Sequence, residues 1–173
     1  MQKPTWINVI GVLLIIMGCF GALGSYQTFK MPKAMERIKE MMPEMKQRLE
    51  QRGSSATSSE QVMQMYEKMG NVPPWFGSWC LLTGTIALVI SVLYILTAVN
   101  LFQLKKTAIS MFYWVMAIDI IFLIIRGVVG ITAMSWLGMS MILVGGLAVV
   151  VDIILLLVVG SKNKEAFLKQ EPI

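Results

Sequence analysis

Apolar residues run almost without interruption through four stretches of this chain, Trp6 to Tyr26, Trp79 to Leu101, Thr107 to Val129 and Met134 to Gly160. Each is long enough to cross about 30 Å of hydrocarbon at about 1.5 Å per residue. The runs do not alternate apolar and polar positions as barrel strands do, and backbone in lipid must satisfy its hydrogen bonds within its own segment, so the pattern predicts helices. Trp6, Trp75, Trp79 and Trp136 stand at or beside the ends of these runs, where an indole is best solvated among headgroups. The expected fold is an all-α membrane protein, a four transmembrane helix bundle with an amphipathic helical hairpin in the loop between helices 1 and 2. The expected organisation is a first transmembrane helix over 1–29, an extracytoplasmic helical loop over 30–74, transmembrane helices 2–4 over 75–160, and a cytoplasmic tail over 161–173.

Between residues 30 and 74 the pattern changes. Met31, Met35, Ile38, Met42, Met45 and Leu49 recur every three or four positions among Lys, Arg and Glu, which draws one narrow apolar seam along a helix. Pro32 suits a first helical turn, so a new helix is expected over about 32–51, with Pro43 kinking or dividing it. Gly53 and the Ser-rich residues after it form a connector, and Thr57 with Glu60 or Ser58 with Gln61 makes a capping-box pattern. A second helix over about 59–69 would continue the seam through Val62, Met65 and Met69, closing at Gly70. Two short helices with facing seams bury too little to stand alone, so a partner surface is expected: the bilayer, the end of the bundle, or another chain. Methionine, unbranched and polarizable, suits irregular partner surfaces. The alternative for Met41, Met42, Met45, Met63 and Met65 is a thioether copper site, since soft sulfur selects Cu(I). Packing is the preferred reading, because most of these methionines lie on the seams and no His or Cys accompanies them. No metal and no cofactor is assigned.

The apolar runs carry few polar groups, and each has a cost. Asp119 lies near the middle of the third run, Arg126 two helical turns beyond it, and Asp152 in the cytoplasmic half of the fourth. Ionisable groups in hydrocarbon face the bundle interior and find partners. Depth arithmetic brings Tyr94 of the second run within reach of Asp152. Arg126 meets Asp119 only if both side chains extend toward each other, or else snorkels to the outer headgroups. Tyr94, Asp119, Arg126 and Asp152 are therefore the candidate intramembrane cluster, read either as a structural clasp or as a proton or cation relay. Small residues mark packing faces: Gly11, Gly18, Ala22 and Ser25 on the first helix, Gly138, Gly145 and Ala148 on the fourth.

Composition agrees with a membrane location and narrows the chemistry. Of 173 residues, 56% are hydrophobic and 14% charged, with a mean hydropathy of +0.69, whereas soluble domains carry about a quarter charged residues. The chain has no histidine, which removes the commonest zinc ligand and the usual general base; with no nucleophile motif either, no enzyme is expected. The net charge of +5 is spread over both faces, so nucleic acid is not an expected partner. Lys3, Lys105, Lys106, Lys162, Lys164 and Lys169 share one side, and the eight Lys/Arg of Lys30 to Pro74 are offset by six Glu. The positive-inside rule then favours cytoplasmic termini. Ile16 to Cys19 has the look of a lipoprotein cleavage site, but the apolar run continues to Tyr26, so a span is the preferred reading. Cys19 and Cys80, the only cysteines, are expected to be small buried hydrophobes.

With a Gly-rich first span and the Leu104-Lys105-Lys106 stop between the middle spans, the layout resembles that of small four-helix bacterial membrane proteins, which implies the bacterial inner (plasma) membrane but transfers no active residue. Four spans and one outer loop also suggest claudins and tetraspanins, whose loop cysteines are missing here. The expected function is a non-enzymatic interaction or assembly subunit of a membrane complex, acting through the outer hairpin and the Gly-rich helix faces on protein partners or on further copies of itself. The alternative is a small oligomeric ion channel or transporter using Asp119, Arg126 and Asp152.

Overall fold

Helices account for nearly all of the described chain, as continuous apolar runs require. In the computed structural model, residues 4–51, 73–133 and 135–161 are described, apart from the side chains of 45, 46, 49–51 and 133–144. They form α1 (Thr5–Gln51), α2 (Phe76–Phe102), α3 (Ala108–Ala133) and α4 (Ser135–Ser161), with no strand among the described residues. Three of these helices are long and apolar enough to cross a membrane, α1 through its N-terminal part, α2 and α3, and the described apolar stretch of α4 is the shorter Gly145–Ser161. Large apolar side chains face outward along them, with Phe20 70%, Ile121 58% and Leu147 71% exposed. A protein in water does not leave such surface uncovered.

The first helix departs from expectation. It does not end near Tyr26 and restart at Pro32 but runs unbroken for 47 residues through both Pro32 and Pro43. Each proline removes a single intrahelical hydrogen bond, while Lys33, Ala34, Met35, Glu36 and Arg37 between them are good helix formers on whole, so neither break divides the helix. Lys30 Nζ lies 4.1 Å from the centre of the Tyr26 ring, where the apolar run gives way to charge. The expected second loop helix over 59–69 lies outside the described residues.

α1 packs along α2, α2 against α3, and α3 along α4. The turn between α2 and α3 is tight. Leu104 N–H donates to Leu101 O and Lys105 N–H to Asn100 O, both at 3.1 Å, the paired bonds that close a helix through a left-handed residue. Leu104 occupies that left-handed position at φ 56°, a place usually held by glycine, and its side chain packs on the core. The core is concentrated toward this end of the bundle, around Ile7 and Leu14 of α1, Leu101 of α2, Phe112 of α3 and Val159 of α4. At the opposite end an apolar cleft of about 300 Å³ opens between α3 and α4, lined by Leu123, Gly127, Gly145 and Gly146 among others.

Candidate functional site

Two sets of residues hold the helices together, and they differ in chemistry. The α1–α2 contact is built on glycine. A methyl group added at Gly18 would lie 2.8 Å from Ile95 Cγ1 and 2.9 Å from Ser91 O, and Gly11 is closed in the same way by the Phe102 ring. One heptad on α1 thus matches one heptad on α2 in antiparallel register. Toward the other end the roles reverse, with Phe29 of α1 lying over Gly84 of α2 at 2.8 Å from where its Cβ would stand. Hydroxyls in this contact are turned back onto their own helix, Ser25 to Gly21 O at 2.8 Å and Ser91 to Ala87 O at 2.7 Å. Each hydroxyl is satisfied without a partner from the facing helix.

Where α2, α3 and α4 meet, polar groups converge. Tyr94, Asp119 and Asp152 each stand about 12–17 Å along their helices from the same end of the bundle. Tyr94 Oη lies 2.6 Å from Asp119 Oδ2 and 3.2 Å from Asp152 Oδ1, with Met116 Sδ at 3.7 Å. Tyr94 and Asp152 are buried, Asp152 completely, and Asp152 Oδ2 is a buried oxygen with no hydrogen-bond partner. An acceptor left in that state costs about 1–3 kcal/mol.

Arg126 does not join this cluster. Its Nη2 donates to Thr28 Oγ1 at 3.3 Å, tying α3 to α1 toward the end of the bundle away from the α2–α3 turn. The same Thr28 hydroxyl donates to Gly24 O at 2.9 Å. A hydroxyl that donates its one hydrogen still has lone pairs to accept with, so the Thr28 oxygen serves both helices at once. No ion pair involving Arg126 occurs among the described residues.

The structure therefore brings Tyr94, Asp119 and Asp152 together and places Arg126 elsewhere. Of the small residues predicted to pack, Gly11 and Gly18 are in tight contact, Ser25 is buried and Ala22 half-buried. A methyl group added at Gly145 would lie 3.9 Å from Leu123 Cδ2, Ala148 is half-buried, and the Gly138 position lies outside the described side chains. Along the seam Met31, Met35, Ile38 and Met42 are half-buried while Lys33, Glu36, Arg37 and Lys39 are exposed. Met45 and Leu49 have side chains outside the description, and Val62, Met65 and Met69 lie outside the described residues altogether. Of the proposed thioether ligands, Met41 is exposed and Met42 half-buried. Cys80 is buried as expected but Cys19 is exposed, because its position on α1 turns away from α2. Sequence reasoning passed over Phe29, Gly84, Ser91 and Phe102. Gly84 alone carried a signal, as an isolated glycine within an apolar run.

No protein-family model matches the chain, and comparison with curated proteins and with solved structures yields no match.

Proposed function

We propose that this protein is a non-enzymatic membrane subunit that assembles with other chains through the charged half of α1 and through the glycine-lined faces of its spans. The observation that carries the reading is the continuity of α1, which extends about 25 residues, or about 37 Å, beyond its apolar run while keeping Met31, Met35, Ile38 and Met42 in line. A single amphipathic helix is marginally stable by itself. A seam held in register on a rigid extension is a surface suited to another helix, and its methionines adapt to the partner they meet.

For location we propose the bacterial inner membrane with both termini in the cytoplasm. The start of α1 and the end of α2 lie at one end of the bundle, with Gly11 against Phe102, and Lys3, Lys105 and Lys106 are therefore sequence neighbours of a common face.

Native mass spectrometry in mild detergent tests the assembly reading. The expected result is a species heavier than one chain, reduced to a single chain by Met35→Glu combined with Met42→Glu. A single-chain mass for the unaltered protein overturns it. The second reading, a small oligomeric channel or transporter, is favoured by one observation, the meeting of Tyr94, Asp119 and Asp152 at mid-depth.

A further inference from the structure

Counting hydrogens at the junction of α2, α3 and α4 leaves a deficit. The Tyr94 hydroxyl has one hydrogen and two carboxyl neighbours, at 2.6 Å and 3.2 Å, and ionised carboxylates only accept. The two carboxyls share that hydroxyl as their common neighbour, and Asp152 Oδ2 receives no hydrogen bond. Charge is as unbalanced as hydrogen. α2 brings only Tyr94 to this level and has no charged residue along its length, and α1 has no Asp, Glu, Lys or Arg from Thr5 to Phe29. α4 contributes Asp152 alone, and α3 contributes Asp119 and, two turns outward, Arg126, which is engaged at Thr28. Two like charges this close in a low-dielectric interior repel strongly, and no fixed cation faces them among the described residues. Something positive must stand between them.

We propose that Asp119, Asp152 and Tyr94 form an intramembrane site for one exchangeable monovalent cation, a proton or a sodium ion, held between the two carboxyls. Oxygen donors suit a hard ion. Asp152 Oδ2 is the ligand or proton-bearing atom that the fixed structure leaves open. Tyr94 keeps the pair aligned by donating to Asp119. The site goes beyond the assembly reading and does not depend on it, since native mass is blind to its occupancy.

The absence of histidine makes the test clean: between about pH 5.5 and 8.5, unperturbed Asp, Glu, Lys and Arg do not change charge. Thermal unfolding in detergent is followed across that range in sodium chloride and in choline chloride of equal ionic strength, for the unaltered protein and for Asp119→Asn and Asp152→Asn, singly and combined. In choline the unaltered protein should lose up to about 3–5 °C per pH unit as the pH rises, because empty carboxylates repel. If the ion is sodium, sodium chloride restores the midpoint at high pH; if it is a proton, the two salts give one curve. Each single Asn variant should be shallower, since a lone carboxylate has no like charge beside it, and Asp119→Asn combined with Asp152→Asn should be flat, which also separates the site from the amino terminus and the thiols. An unaltered protein with a pH-independent midpoint in both salts overturns the proposal, as does a double Asn variant that keeps the dependence. Should the variants not fold, labelling of the unaltered protein by dicyclohexylcarbodiimide gives the second reading. Attachment at Asp119 or Asp152 that falls with rising pH or with added sodium supports the site, and labelling indifferent to both, or absent, overturns it.

Discussion

Along α1 and α2, glycine hydrogens face side chains, Gly11 against Phe102, Gly18 against Ile95 and Gly84 against Phe29, and every hydroxyl described there bonds its own helix. Where α2, α3 and α4 meet, three polar side chains bond one another across helices instead. Lipid is as apolar as the side chains, so neither contact draws on the hydrophobic effect. The first gains from close approach and dispersion, which fail abruptly when a methyl group is added. The second gains from hydrogen bonds and fails when a partner is stranded. Size should therefore be critical in one region and nearly irrelevant in the other, while polarity should show the reverse.

The largest effect expected is at Gly18. Replacement by Leu forces α1 off the Ser91 carbonyl, which cannot rotate away, and should cost about 3 kcal/mol in reversible unfolding from mixed micelles; a loss below about 1 kcal/mol would mean the seam is loose. Next comes Asp152→Leu, expected to destabilise by about 1–3 kcal/mol through the groups left unpaired around Tyr94, with Asp152→Asn retaining most of the stability by the same measurement. Equal losses for Leu and Asn would erase the distinction drawn between the regions. Tyr94→Phe keeps the shape and removes the bridge, and should cost about 1 kcal/mol, read as a lowered unfolding midpoint. At the bottom of the scale is Gly24→Ala. A methyl group there meets nothing within 4 Å, so the change should gain about 0.5–1 kcal/mol from the helix's preference for Ala, and a loss would show that glycine matters along α1 for reasons other than contact.

Reporters fused after Ile173 and inserted at Ser55 sharpen the picture by orientation, and are expected to register cytoplasm and exterior respectively. The reverse pattern would invert the membrane sides of both contacts.

How far this was legible in the sequence follows from what kind of signal each feature leaves. Length and apolarity alone define the spans, and equal depth from the same end of α2 and α4, which run in the same direction, brings Tyr94 to Asp152. Arg126 was the harder case, since spacing puts it on the Asp119 face but depth puts it one span-end away, and its partner is a single hydroxyl, Thr28, on a helix not adjacent in sequence. The continuity of α1 was a second difficulty. That continuity was hidden because Pro32 reads equally as the first turn of a new helix or as a tolerated interruption. The α2 side of the glycine seam left almost no trace: a helix that is apolar all round has no periodicity to say that Gly84, Ser91, Ile95 and Phe102 share a face.

An unjointed α1 also has a mechanical consequence. Because the helix continues past Pro32 and Pro43 without a break, motion of its N-terminal half is carried toward the far end. A tilt of about 5° displaces a tip about 37 Å away by about 3 Å, and a slide of one residue along α2 turns the methionine stripe by about 100°. The bundle and whatever grips that stripe are thus two ends of one lever, so a shift in the register of Gly18 on Ser91 is felt outside as a rotation.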